Sequence, residues 1–269
     1  MEFGISLLSI IPVRIEPSHR SEMVTQILFG ELYQVIGTAE NWTRIKLTYD
    51  DYEGWINSTQ VCIIAETEFL RLYDSETFVT SELVQLISNE SNGNAIPLVI
   101  GSSLPGFDKQ RFRVNQDIFF FEGLTADTTL LENVSTPIEH VNARRQLVDD
   151  AMLYLNSPYL WGGRSPFGID CSGFVQLAYK LKKVKLQRDA SQQALQGEVV
   201  GLLAEGEPGD LAFFDNEEGS ITHVGMLIDR TRIIHCSGKV RIDTIDHQGI
   251  YNETLQNYTH KLRLIKRII

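Results

Sequence analysis

YLWGGRSPFGIDCSGFVQLAY, residues 159–179, is a loop that turns into a helix at a cysteine. Gly162, Gly163, Pro166 and Gly168 lead to Asp170-Cys171-Ser172-Gly173. Beyond them Phe174, Leu177, Ala178 and Leu181 recur at three- and four-residue steps, a helical period. Cys171 stands three residues before Phe174 and is predicted in the first turn, on the core side. Unpaired backbone N–H groups and the positive end of the helix dipole favour a thiolate there. A lone cysteine on an apolar face is ordinarily a small buried hydrophobe. The glycines and proline argue instead for an approach defined by the backbone, as a nucleophile needs.

The pattern Tyr159-x-Trp161-Gly162-Gly163 followed by Gly168-x-Asp170-Cys171-Ser172-Gly173-Phe174 resembles the signature of the NlpC/P60 cysteine peptidases. The resemblance implies a papain-like enzyme that cuts peptides of the bacterial cell wall.

Composition sets the bounds. The 269 residues suffice for one large domain or two to three small ones. A hydrophobic fraction of 43% and a charged fraction of 22% are ordinary for a globular protein. With 24 basic and 35 acidic residues the net charge is −11, which disfavours nucleic acid and anionic membranes as partners. Cys62, Cys171 and Cys236 form no C-x-x-C pair; they make a poor disulfide framework and fit a reducing compartment. The candidate leader, Ile5 to Val13, is short and broken by Pro12, with no basic residue before it and no small-residue cleavage site after it. No stretch approaches the ~20 apolar residues of a membrane span. The expectation is a cytoplasmic monomer, or a periplasmic or extracellular protein if a leader has been removed.

Upstream of the cysteine, residues 1–65 read as short strands with frequent turns. Leu7–Ile15, Gln26–Phe29, Tyr33–Ile36 and the alternating Trp42–Leu47 are closed by Gly54-Trp55-Ile56. VRIEPSHRSEMVTQILFGE, NWTRIKL and EGWI resemble a bacterial SH3-like (SH3b) domain. Residues 66–124, with expected strands at Phe69–Tyr73, Val79, Leu83–Ile87, Ile96–Ile100 and Ile118–Phe121, read as a divergent second SH3-like domain. Residues 125–139 read as a linker, and 140–269 as the peptidase domain. The fold class expected is therefore an α+β papain-like domain preceded by two small β-barrels. An amphipathic helix over Val141–Leu155 should precede the cysteine, with strands at Leu211–Phe214, His223–Ile228 and Arg232–Cys236 after it.

A cysteine nucleophile needs a base, and the base an orienting partner. Of six histidines, His19, His140, His247 and His260 sit in polar surroundings and read as solvated surface. His223 and His235 border apolar strands, and they fall in blocks, Pro208-Gly209-Asp210-Leu211, His223-Val224-Gly225 and Ile234-His235-Cys236-Ser237-Gly238, that follow the family's order. A hairpin centred on Asp229 puts these two directly opposite; one centred on Arg230 makes them diagonal neighbours on one face. A two-residue loop turns His235 away unless a bulge intervenes. Zinc on Cys171, His223, His235 and Cys236 is the competing account. It fails on the adjacent His235-Cys236, which point to opposite faces of a strand. No metal ion and no cofactor is called for.

The resemblance implies more. Family members with two SH3-like domains hydrolyse the bond between γ-D-glutamate and an L-diamino acid, meso-diaminopimelate or lysine, in murein-derived peptides with a free N-terminal L-alanine. It assigns catalysis to Cys171, His223 and His235. Asp189 would bind the terminal ammonium, Tyr159 and Trp161 would line the pocket, and Asp170 and Ser172 would touch substrate backbone. Tyr52 and an acid, Glu16 or Glu22, would lean in from the first barrel. Competing readings are an exported wall hydrolase anchored by its SH3b domains, a non-enzymatic wall-binding protein and a papain-like acyltransferase.

Overall fold

The computed structural model describes residues 2–126 and 136–269 and divides into two compact units. Unit 1 comprises Met1–Ala126 with Trp161–Pro166. Its first sheet contains β1 (Glu2–Ile5), β2 (Ile10–Arg14), β3 (Met23–Leu28), β4 (Leu32–Ala39), β5 (Trp42–Leu47), β6 (Glu53–Asn57) and β7 (Ile63–Ile64). They are ordered β3-β2-β6-β5-β4-β1-β7, a barrel-like wrapping around Ile11, Val13, Ile27, Ile45 and Ile56. The period-two patterns of β2, β5 and β6 place Ile11, Val13, Ile45 and Ile56 inside, where each buried aliphatic side chain contributes about 1.5–3 kcal/mol.

Residues beyond β7 add α1 (Glu66–Tyr73), β8 (Thr77–Val79), β9 (Val84–Asn89), β10 (Ala95–Val99), β11 (Ser103–Pro105), β12 (Arg111–Val114) and β13 (Asp117–Phe120). β10-β9-β13-β12 form one sheet and β11 pairs with β8. Ile5, Phe29 and Ile64 share a hydrophobic cluster with Phe69, Leu98 and Phe119, so this part of the unit is built onto the first sheet through a common core. The strand expected at Phe69–Tyr73 is instead the second half of α1. Phe69 and Leu72 are buried three residues apart, the first turn carries Glu66 and Glu68, and Glu68 pairs with Arg71 at 2.8 Å. That is a helical face with charges placed for the helix dipole, in a run too short for hydrophobicity alone to tell from a strand.

Unit 1 is closed by β14 (Arg164–Ser165) beside β3. Arg164 is fully buried; its guanidinium meets both oxygens of Glu31 at 2.9 Å and the Gln26 carbonyl at 2.7 Å. Gly162 lies close against Met23 at φ +74, where any side chain would strike the Met23 carbonyl. Removing one partner of a buried ion pair strands the other charge, which costs about 3–5 kcal/mol. Glu31→Gln is expected to lower stability by about that much in urea unfolding; a loss under ~1 kcal/mol would show that the pair is not what anchors Arg164.

Unit 2 comprises Asp127–Leu160 with Phe167–Ile269. It holds α2 (Pro137–Met152), β15 (Gly168–Ile169), α3 (Cys171–Lys180), α4 (Ala190–Gln193), β16 (Glu198–Val200), β17 (Leu211–Asp215), β18 (Ile221–Leu227), β19 (Arg232–Ser237), β20 (Lys239–Ile245), β21 (Gly249–Asn252) and β22 (Asn257–Arg267). The sheet runs β16-β22-β17-β18-β19-β20-β21, and β21 pairs again with β22. α2 starts earlier than expected because Thr136 and Glu139 form a capping box. Most of the linker expected over 125–139 lies outside the described residues. α3 packs against β18 and β19 on one side and α2 on another. All ten of its residues are buried, so the apolar stripe seen in sequence understates its enclosure. Among the described residues no helix is long and apolar enough to cross a membrane.

Candidate active site

α3 opens at Cys171, with Asp170 as its N-cap in extended backbone and its carboxylate accepting from Gly173 N at 2.7 Å. Arg188 grips that carboxylate at both oxygens, 3.0 and 2.5 Å, and donates to Ser172 Oγ at 2.9 Å. Ser172 Oγ donates to Asp170 at 3.2 Å, and Gln193 Nε2 donates to the Ser172 carbonyl at 3.0 Å. Residues 188 and 193 therefore fasten one short segment to both sides of Cys171. Asp170 and Ser172, expected against substrate, are bound into this buried cluster, which fixes the start of α3.

The thiol does not behave as its helix position predicts. Burial pushes Cys171 up to about 12, with Asp170 adding to the rise; N–H groups of Val224 and Ser172 and the Arg188 charge pull the other way. A rise of that size is worth about 4 kcal/mol, whereas a helix terminus offers roughly 0.3–1. Desolvation wins, and Cys171 rests as a thiol, which corrects the thiolate expected from sequence.

The histidines lie on adjacent strands. β18 and β19 pair Gly225 with His235 and Met226 with Ile234, so the hairpin is centred on Arg230 and His223 and His235 are diagonal neighbours on one face. His223 Nε2 is 2.9 Å from His235 Nδ1. One strand further, β20 pairs Arg241 with His235 and sets Asp243 on the next diagonal, its Oδ2 2.9 Å from His235 Nε2. Burial works against the Asp243 carboxylate, but His235 and Arg241, the latter at 2.7 Å, hold it below the usual carboxylate range. An ionised carboxylate only accepts, so His235 carries its proton on Nε2. Its bare Nδ1 then accepts from His223 Nε2–H, which leaves His223 Nδ1 as the basic nitrogen. Burial, with His260 and His235 adding, keeps His223 well below the usual imidazole value and hence neutral.

Sequence reasoning missed three residues here: Arg188, Asp243 and His260. The last, read as surface, stacks on His223 with ring centroids 4.1 Å apart. The side-chain nitrogens of His223, His235 and His260 lie within 4.8 Å of one another, a spacing open to a metal ion. Their geometry is a poor fit. His235 is engaged at both nitrogens, and the His223 and His260 rings are stacked at 28°, so their in-plane lone pairs do not converge. Cys236 faces away and donates to the Ile169 carbonyl at 3.2 Å.

Tyr159, half-exposed, has its N–H on the Gly238 carbonyl at 3.0 Å. Its phenol is raised to about 12 by burial, with Cys171 and Asp170 adding to the rise. Asp189 is the N-cap of α4, its N–H on Gln192 Oε1 at 3.1 Å. The remaining expected residues lie in unit 1. Trp161 donates through Nε1 to Glu22, whereas Glu16 sits in the loop held by Ser21. Of the two acids, Glu22 is thus the one that meets an expected pocket aromatic. Tyr52 packs at the edge of the Ile11–Ile56 cluster, its N–H on Asp50.

Residues 156–259 match the NlpC/P60 family, and residues 13–61 match the bacterial dipeptidyl-peptidase Sh3 domain. The chain is 27% identical over 258 residues to the dipeptidyl-peptidase 6 of Lysinibacillus sphaericus, covering 89% of this chain and 91% of that protein. It is 27% identical over 221 residues to the gamma-D-glutamyl-L-lysine dipeptidyl-peptidase of Bacillus subtilis (strain 168), covering 78% and 71% respectively. An NlpC/P60 family protein from Bacillus cereus ATCC 10987 has a solved structure with a TM-score of 0.78 at 20% identity. The match covers 100% of this chain and 99% of that one, a likeness of fold.

Proposed function

We propose, from the premise that this chain joins an N-terminal bacterial SH3 domain to an NlpC/P60 domain, that it is a cysteine peptidase of peptidoglycan peptides. It hydrolyses the bond between γ-D-glutamate and an L-diamino acid; two relatives are named for the γ-D-glutamyl-L-lysine case. The observation that carries the reading is the hydrogen-bonded line from Asp243 through His235 to His223, whose chain neighbour Val224 gives its backbone N–H to the Cys171 sulfur. We read the catalytic unit as papain-like and the N-terminal unit as two SH3-like barrels.

His223 Nδ1 removes the Cys171 proton as the sulfur attacks the γ-glutamyl carbonyl. Because the resting pair is a neutral thiol and a neutral imidazole, transfer belongs to the attack and is not completed beforehand. The Cys171 N–H, first in α3, helps hold the oxyanion. The imidazolium then gives its proton to the departing amine of the diamino acid. Water, activated by the same nitrogen, cleaves the thioester and restores the thiol.

Asp189 is the residue for the substrate's terminal ammonium, because Arg188 and Gln193 on either side of it are tied to Asp170 and Ser172 at the nucleophile. Recognition of a free amine fits peptides already released from the wall, hence murein recycling. Three free cysteines fit a cytoplasmic setting for it. The test is cleavage of L-Ala-γ-D-Glu-meso-diaminopimelate and its N-acetylated form, followed by mass spectrometry. A charge-assisted hydrogen bond of about 1.5–3 kcal/mol makes the acetylated peptide about 10- to 100-fold poorer in kcat/KM. Equal cleavage of both would discard the Asp189 pocket and point to intact wall as substrate; cleavage of neither would overturn the proposed bond.

A further inference from the structure

His223 is enclosed by rings. His260 of β22 lies against its face, centroids 4.1 Å apart and planes 28° apart. His235 meets its edge at 87°, and Phe214 of β17 touches both His223, at 5.7 Å, and His260, at 5.9 Å. His260 is itself held in place. Its Nδ1 is 2.9 Å from Thr259 Oγ1, and its backbone pairs with Ile250 of β21. Gly249 comes so close to the His260 carbonyl that a Cβ there would collide with it. β22 therefore delivers this ring to one spot, on the base.

We propose that His260 is a positioning residue for His223, its flat ring holding the imidazole of the base in the plane that connects His235 to Cys171. This rests on His223 being the base. A single hydrogen bond at Nε2 leaves an imidazole free to swing about that bond; a plate stacked on its face removes the swing without adding a competing donor or acceptor. The plate must also be uncharged, because His223 becomes an imidazolium during attack. A second cation stacked on it would oppose that step, whereas the π-face of a neutral imidazole favours it. The groups facing His260 bear this out. His235 on β19 adds to a depression of His260 that burial leads, to about 4, with Asp243 on β20 opposing. His223 on β18 is its stacking partner, and Phe214 on β17 and Ile250 on β21 bring no charge. Cys171 of α3, whose sulfur takes the N–H of Val224, the residue after His223, is not among the groups that shift His260.

The test compares His260→Ala with His260→Phe, which keeps a flat ring and loses the nitrogens. Two readouts are followed between about pH 4 and 8: peptide turnover, and alkylation of Cys171 by iodoacetamide mapped by mass spectrometry. In His260→Ala, kcat should fall about 10-fold with KM within about twofold. Water then reaches His223 and relieves the burial that depresses it, so the acid limb of both profiles moves up toward the ordinary imidazole range. His260→Phe should return kcat to within about threefold of the parent. Should the alanine variant not fold, His260→Leu, bulky without a flat face, takes its place with the same expectation for kcat. The proposal is overturned if removing the ring leaves kcat and the limb unchanged, if phenylalanine fails to rescue, or if the loss is confined to KM. Alkylation separates this result from the substrate assignment: limbs that shift as stated in an enzyme inactive on the peptide support His260 and discard only the proposed substrate. Alkylation indifferent to His223→Ala would remove the base and the proposal with it.

Discussion

Replacing Cys171 with alanine is expected to lower kcat by about 10⁵-fold or more while the fold survives. No other group among the described residues combines a polarisable nucleophile with an adjacent relay. Cys236 is buried on the Ile169 carbonyl, and Cys62 packs against the core of unit 1. Losing one buried sulfur should cost about 1 kcal/mol, a shift of roughly 2–4 °C in Tm for a chain of this size. Cys171→Ser sharpens the point. Burial already sets the thiol at about 12, and His223, kept well below its usual value, has little appetite for a proton. A hydroxyl is a far weaker acid than a thiol, so the serine variant should be nearly as inactive as the alanine one despite its similar shape. Turnover within tenfold of the parent in either variant would remove Cys171 from the mechanism.

That expectation could be drawn from residues 159–179 because local chemistry was written there: a glycine-rich approach, the Asp170-Cys171-Ser172-Gly173 run, then a helical period. The His223–His235 pair was legible for a similar reason, since two strands and a short loop leave few registers and the observed one puts both rings on one face. What escaped was tertiary. Asp243 sits in VRIDTID, an alternation that fits any exposed strand; only its register beside β19 makes it the partner of His235. His260 lies in a strand rich in polar residues, and its inward position depends on how β22 is pinned by β21 and Gly249. The resting thiol was misjudged because a helix dipole is visible in sequence and the depth of burial is not. Arg188 shows the same limit. Nothing in LQRDASQ distinguishes a solvated arginine from one buried on the carboxylate that caps the nucleophile's helix.

Asp243→Asn should cost about 10²- to 10⁴-fold in kcat with KM almost unchanged, because it acts on protons and not on shape. The amide is the size of the carboxylate, and Arg241, half-exposed, can turn to solvent when its charged partner is lost. An asparagine amide, however, can present its NH₂ to His235 Nε2 as readily as its oxygen. When it does, Nε2 must be bare, and the His235 proton moves to Nδ1, where it faces His223 Nε2. That nitrogen must then accept, so the His223 proton shifts to Nδ1, the position meant to receive the proton of Cys171. A base with its proton already on the working nitrogen cannot take another at neutral pH. The same ring, in the same place, is then inert. Nitrogen chemical shifts of the two imidazoles read this directly: His223 protonated at Nε2 in the parent and at Nδ1 in the variant. A kcat within threefold of the parent, or unchanged protonation of both rings, would reduce Asp243 to a structural partner of Arg241. The two outcomes decide whether three strands of this sheet form one proton-ordering device, or whether His235 suffices alone.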